Sequence, residues 1–232
     1  MSAAPKRRAL SRELIVEVAL GVVDTDGLDA LSMRRVSQEL NTGPASLYAH
    51  VGSKEELVGL VLDRVSAELE HPVADPAHWR EQLKDFLTRA RDDLVAHNDL
   101  ARAAMISNTP TLPHRLDAAE TVATLLKAGG LPDRVVAHGT DLLALYLVAS
   151  AYEASRRRGP KTSPEQAEAE EYPDGLRGYL ASMPADRYPV LLTMLPEMAR
   201  DAGDERWEFG IDVILAGMEH SAGRLPGAGR AE

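Results

Sequence analysis

The apolar positions near the start of the chain fall at Leu14, Val18, Ala19, Val22 and Val23, which together make one face of a helix. Ser11 stands where an N-cap belongs, and Leu10 and Ile15 are spaced as a hydrophobic staple. Asp24-Thr25-Asp26-Gly27 supplies the turn chemistry that ends this helix. A second helix opens at Ser32, with Leu31 and Val36 as the next staple and Met33, Val36 and Leu40 facing inward. It closes on Asn41, the residue type that tolerates a left-handed backbone best after glycine. Gly43 then serves as N-cap, and Pro44, with its fixed φ, opens a third, short helix. Ser53 and Glu56 form a capping box for a fourth helix that carries Leu57, Val61 and Val65. Between Ser32 and Leu57 the chain thus fits two short helices, a polar turn at Asn41–Gly43 and the start of a further helix. That is the spacing of a helix-turn-helix, whose second helix is presented to a DNA major groove.

Beyond residue 70 the pattern changes. His71-Pro72 through Asp75-Pro76 reads as a connection. A helix is expected over about residues 77–96, with Trp79, Leu83, Phe86, Leu87, Ala90 and Leu94 on one side. Shorter helices are expected at 98–106 and 113–128, the latter stopped by Gly129-Gly130, and Pro132 opens a long one to about Arg158. Within it Leu142–Ala151 is apolar nearly all round, so it must be covered on every side, by its own domain and by a second subunit. Arg156-Arg157-Arg158 in its last turn complements the helix dipole. Residues 159–173 have the composition of a loop. Helical stretches at 175–182 and 189–199 lead to a last helix at 204–222, with Trp207, Ile211, Ile214, Leu215 and Met218 as its stripe and Gly210, Ala216 and Gly217 allowing close approach. The expected fold is all-α: a three-helix unit over residues 1–70, joined by a long fourth helix to a helical unit over residues 71–232.

Composition narrows the chemistry. Aromatics make up only 4% against 44% hydrophobics, mostly Leu, Ala and Val, which favours helices over sheets. The absence of cysteine excludes a disulfide scaffold and a thiolate zinc site, and fits a reducing cytoplasm. No stretch approaches about eighteen uninterrupted apolar residues, and the basic N-terminus runs into Glu13 and Glu17, so no membrane association is expected. There is no glycine-rich phosphate loop, no His-Glu-x-x-His and no Gly-x-Ser-x-Gly elbow, so neither an enzyme nor a cofactor is expected. A net charge of −10 looks wrong for a DNA binder, but residues 1–54 hold seven Lys and Arg against six Asp and Glu, whereas residues 71–232 hold eighteen against twenty-five. The acidic excess thus lies away from the helix-turn-helix, where it lowers non-specific binding. Lys6-Arg7-Arg8 is either a solvated tail or an arm for the minor groove.

Leu40, the Asn41–Gly43 turn, Leu47, Tyr48, His50 and Lys54 together resemble the DNA-binding domain of the TetR (tetracycline-repressor-like) family. The one departure is Asn41, where that family usually has glycine. The ending DERWEFGIDVILAGMEH resembles the C-terminal domain of the tetracycline-repressor branch. The resemblance implies a homodimer, held by the long helix and the last helix. By the same resemblance it is expected to bind an inverted repeat in double-stranded operator DNA, with half-site centres about one helical turn or a little more apart, and to be released by a small-molecule inducer. It also implies an inducer pocket among the helices between, with the 159–173 loop near its entrance. Tyr48, His50 and Lys54 would anchor phosphates with help from the hydroxyls of Thr42 and Ser46, and Arg34, Pro44, Ala45 and Ala49 would face base edges. The histidines with which the namesake repressor meets a tetracycline–magnesium complex align with Ser66 and with Ala103 or Ala104, so that metal-assisted site is not expected. The remaining polar residues in apolar surroundings are Asn108, His114, Thr121, His138, Asp141 and Tyr146, which are candidate ligand contacts or satisfied polar residues of core and surface. A different class of reading is a helical protein that binds a small molecule or a partner without operator binding.

Overall fold

A computed structural model describes residues 9–107, 111–158, 178–179, 182–198 and 204–224. Across them the chain forms α1 (Arg12–Asp26), α2 (Met33–Glu39), α3 (Pro44–Tyr48), α4 (Lys54–Ser66), α5 (Trp79–Ala96), α6 (Leu100–Ile106), α7 (Pro113–Ala128), α8 (Asp133–Arg158), α9 (Pro189–Met198) and α10 (Glu205–Ala222), with a 3-10 turn at Leu28–Ala30 after α1. Three serine caps begin the first elements. The hydroxyls of Ser11, Ser32 and Ser53 accept from the backbone N–H of Leu14, Arg35 and Glu56 at 3.2, 3.1 and 3.0 Å, each worth about 1 kcal/mol. The expected capping box is only half made, because the Glu56 carboxylate takes the N–H of Gly52 (2.7 Å) instead of that of Ser53.

The buried face of α1 is Ile15, Val16, Ala19, Val22 and Val23, turned slightly from the expected stripe, so that Leu14 and Val18 are only half-buried. Together with Leu28, Leu31, Met33, Val36, Leu47, Val51, Leu57 and Val61 these residues form a first core, to which α6 adds Leu100, Ala103 and Ala104. A second core joins Leu83, Phe86 and Leu87 of α5, Val122, Leu125 and Leu126 of α7, Leu143 and Leu147 of α8, and Trp207, Ile211, Leu215 and Met218 of α10. Burial of these side chains, at roughly 1.5–3 kcal/mol each, is what holds the helices together. Gly129 lets α7 end directly against the Trp79 ring, since a Cβ there would lie 2.7 Å from Cδ2 and 2.8 Å from Cζ2 of the indole.

α4 belongs to both halves. Its Asp63, almost fully buried, accepts from the backbone N–H of Arg115 at 3.1 Å and so caps the start of α7 from a neighbouring helix. A second bridge runs through α6. Asp99 accepts from Leu28 N at 3.1 Å, Arg102 holds both carboxylate oxygens of Asp29 at 3.0 Å, and His97 Nδ1 meets Asp24 at 3.0 Å.

In α8, Leu143, Leu147 and Ala151 are buried, while Leu142 and Leu145 stand about half exposed on the opposite side. Residues Asp133–Arg156 are long and apolar enough for a membrane span, and a third of that stretch is buried inside this chain. Most of the stretch proposed at 175–182 and the loop at 159–173 lie outside the described residues.

Candidate nucleic-acid interface and ligand cavity

The helix-turn-helix is fixed by backbone bonds that its sequence calls for. Asn41 adopts φ 50°, its N–H donates to Gln38 O (3.0 Å), and the N–H of Thr42 donates to Ser37 O (2.9 Å). That is a complete Schellman ending, with Asn41 at the left-handed position. Gly43 caps α3 in an extended conformation, and Pro44 takes the first helical position. Leu47 is fully buried beneath α3, which leaves Pro44, Ala45, Ser46, Tyr48 and Ala49 exposed and Thr42, His50 and Lys54 half-buried at its margins.

Neighbouring arginines of α2 have different environments. Arg35 is held by Asp26 at 2.9 Å and by Glu39, and the two carboxylates raise its pKa further. Arg34 is exposed, and neither it nor Lys54 forms an ion pair among the described residues. Arg12, which the sequence reading did not single out, donates to the carbonyl of His50 (3.0 Å) and to Glu56 (3.0 Å), while Glu56 holds Gly52 N. These bonds fasten the segment after α3 to the starts of α1 and α4. The signal for Arg12 is non-local, and no pattern within one helix contains it. Lys6, Arg7 and Arg8 lie outside the described residues.

A cavity of about 150 Å³ opens between α4, α5, α7 and α8, touching α6 at Ala104. Its walls are apolar, from Leu62 and Val65 through Phe86 and Leu87 to Leu147 and Val148, interrupted by Ser66, Asp93, Arg115 and Thr140. The aligned positions of the tetracycline–magnesium histidines do border this space, as Ser66 and Ala104. Burial pushes the Asp93 carboxyl above its ordinary value, helped by Glu68 and Asp92 and opposed by His97. Burial pulls Arg115 below its ordinary value against the attraction of Asp63. For Asp93 the folded pKa lies above the unfolded one, so the ionised form weakens the fold. Stability from this group falls as pH rises from the ordinary 3.8 through the raised value. Asp93→Asn is therefore expected to raise the melting temperature at pH 7 and to bring no gain below pH 3.8. Thermal melts at both pH values check this, and an equal gain at both would assign the effect to packing.

None of the described candidates for ligand contact lines this cavity. His114, His138 and Asp141 are exposed. The hydroxyl of Thr121 donates to Asp117 O (2.9 Å) and accepts from His71 Nδ1 (2.6 Å). The hydroxyl of Tyr146 donates to Arg206 O (3.0 Å), and its ring stacks on Trp207 with centroids 5.2 Å apart. Asn108 lies outside the described residues. The polar groups that do line the cavity, Ser66, Asp93, Arg115 and Thr140, were not among the candidates, because they sit on helices whose buried faces are set by crossing angles that one sequence does not reveal.

Comparison with known proteins agrees with this geometry. Residues 15–61 match the bacterial regulatory proteins of the tetR family, and residues 71–222 match the tetracyclin repressor-like C-terminal domain. The transcriptional repressor DrrR1 of Streptomyces coeruleorubidus is 34% identical over 219 residues, 90% of this chain and 77% of that protein. An HTH-type transcriptional regulator of Saccharopolyspora erythraea is 31% identical over 92% of this chain and 86% of its own length. The Streptomyces coelicolor TetR family protein ActR, solved in complex with actinorhodin, superposes with a TM-score of 0.83 at 42% identity over 93% of this chain and 98% of that one. The chain accordingly belongs to the TetR family of transcriptional regulators, which bind operator DNA as dimers through their helix-turn-helix and respond to small molecules.

Proposed function

We propose that this regulator is a cytoplasmic repressor that holds an inverted-repeat operator with paired α3 helices. It lets go when a small organic molecule fills the cavity between α4, α5, α7 and α8, and it works by binding alone. Residues 1–70 read the operator, and residues 71–232 bind the ligand and dimerise. The observation that carries this is the double duty of α4. Its Leu57 and Val61 pack in the core beneath α3, and its Leu62, Val65 and Ser66 form a wall of the cavity. A cavity of about 150 Å³ is smaller than the 300–1,000 Å³ that drug-sized ligands occupy, so such a ligand has to displace a wall. Displacing α4 moves the recognition helix with it, and α6 offers a second route through Asp99 and Arg102. A shift of a few ångström suffices, because both half-sites must be met at once. ActR was solved with actinorhodin, which makes that compound the first to try here.

In this reading Tyr48, His50 and Lys54 hold phosphates with Thr42 and Ser46. Arg34, Pro44, Ala45 and Ala49 face base edges. Arg34→Ala is expected to cost about 1–3 kcal/mol and to relax preference at one base position. Lys54→Ala should weaken all sequences alike and lower the salt slope by about one. Arg35→Ala is the control, since its guanidinium is already held by Asp26 and Glu39. Salt-dependent titrations against the operator and a scrambled duplex separate the three. An unchanged salt slope for Lys54→Ala would sink the docking geometry. The release step is tested by reciprocity. A true inducer binds the DNA-bound dimer more weakly than the free one by the same factor by which it weakens operator binding, commonly about 5–150-fold. Equal affinity in both states would reject the compound.

A further inference from the structure

Thr140 is set apart from three other threonines of these helices. Thr25, Thr121 and Thr193 each donate to the carbonyl four residues back, at 2.8, 2.9 and 2.9 Å. That local bond is the usual resting place of a helical hydroxyl. Thr140 makes no such bond. Its Oγ1 is buried, has no hydrogen-bond partner among the described residues, and belongs to a residue on the cavity wall. A buried hydroxyl without a partner is costly and uncommon in folded proteins. The other polar groups of the wall are differently committed. Ser66 spends its hydrogen on Leu62 O (3.1 Å), so only its lone pairs remain. Asp93, whose pKa responds to Glu68 just beyond α4, adds an acceptor on that side. Arg115 donates to Ser107 O at 3.0 Å.

The two polar regions lie at different levels of the cavity. Thr140 follows Gly139, which approaches Met218, and the next residue, Glu219, pairs with Arg80 near the start of α5. Asp93 is near the end of α5. The lining positions run from Phe86 to Leu94 and from Thr140 to Val148, which at the helical rise is about 12 Å along each helix. A volume of about 150 Å³ drawn out over such a length is thin in cross-section. Much of the wall is alanine (Ala90, Ala104, Ala118, Ala119, Ala144), whose short side chains present smooth surfaces.

We propose that Thr140 is the ligand-reading donor of this cavity, and that the ligand is a flat, elongated ring compound with a carbonyl-type acceptor at the Thr140 end and a hydroxyl donor at the Ser66 and Asp93 end. This rests on the cavity being the inducer site. A matched series of fused-ring probes tests it by calorimetry on the full chain: 2-isopropenylfluorene, 2-acetylfluorene, 2-acetyl-7-hydroxyfluorene and the saturated, non-planar 2-acetylperhydrofluorene, whose polar groups lie at the ends of the long axis. 2-Acetylfluorene should bind about 10-fold more tightly than 2-isopropenylfluorene, the range one hydrogen bond to an otherwise unsatisfied group supplies. 2-Acetylperhydrofluorene should bind more weakly than 2-acetylfluorene. Thr140→Val, nearly the same size, should bring 2-acetylfluorene down to the level of 2-isopropenylfluorene, and Thr140→Ser should keep the preference. The hydroxyl of 2-acetyl-7-hydroxyfluorene should add a further gain that Asp93→Leu removes. Equal affinities for 2-isopropenylfluorene and 2-acetylfluorene, a preference that survives Thr140→Val, or no binding by any of the planar compounds would overturn the proposal. Operator titrations with the same compounds judge the site separately. Probes that bind as expected yet leave the operator bound would remove the inducer role while keeping Thr140 as the recognising group.

Discussion

Val213→Glu is expected to leave the chain folded, to convert the dimer into monomer, and to weaken operator binding roughly 100-fold or more. The reason is an apolar surface that this chain does not cover itself. Leu142 and Leu145 of α8 are 48% and 46% exposed, and Phe209 and Val213 of α10 are 70% and 53% exposed. Ala216 and Gly217 are exposed beside them, and a Cβ on Gly217 would meet nothing within 4 Å, which leaves room for a second helix to come close. An apolar face of this kind is unusual on a monomer, and we propose that a second copy of the same face covers it in the dimer. A carboxylate at Val213 would be buried there without a countercharge, at a cost of several kcal/mol. In the monomer it remains in water, so the fold survives. Each half-site is then bound alone, and the effective concentration that joins the two binding events is lost. Sedimentation velocity and operator titration give the two readouts, and Val213→Ala is the control that should keep both dimer and affinity. A Val213→Glu chain that stays dimeric would place the interface elsewhere.

The parts of the molecule that were legible in the sequence are those whose causes are local. Ser11, Ser32 and Ser53 cap the helices they precede, and Asn41 carries the left-handed turn, because a cap or a turn is decided within a few residues. The order of the described helices in the C-terminal half was legible for a similar reason, since an apolar stripe and its stop signals lie in one stretch. The cavity was not. Thr140 lies between His138 and Asp141, and a helix turns about 100° per residue. The two candidates therefore face solvent while Thr140 faces the cavity. Which of the three points inward depends on where α5 and α7 cross α8, and no spacing within α8 records that. Arg12, Asp63 and Arg91 were missed on the same ground. Their partners, Glu56 and His50, Arg115, and Asp204 with Trp207, are remote in sequence.

Gly210→Val is expected to cost about 3 kcal/mol, the upper part of the range for overpacking a filled site. A Cβ on Gly210 would fall on the hydroxyl end of Tyr146 and lie 3.0 Å from its Cε1. Tyr146 cannot retreat cheaply. Its hydroxyl donates to Arg206 O (3.0 Å), and its ring lies parallel to Trp207 at 5.2 Å. Trp207 in turn is fixed by its own Nε1 bond to Thr88 (2.9 Å) and by the buried Arg91 guanidinium, 5.0 Å from the ring centre and paired with Asp92 and Asp204. Replacing a helical glycine by an ordinary side chain normally gains a few tenths to 1 kcal/mol, so the clash decides the sign. Tyr146→Ala opens the space, and the double variant should recover part of the loss, with a coupling of roughly 1–3 kcal/mol. Thermal or denaturant unfolding at fixed protein concentration measures all four corners of the cycle, since dimerisation makes apparent stability depend on concentration. The cycle also decides what Tyr146 is for. A stacked tyrosine that holds α8 against α10 gives a large coupling in stability and leaves ligand affinity alone. A ligand-contacting tyrosine gives the reverse, with stability nearly additive and ligand binding lost in Tyr146→Ala.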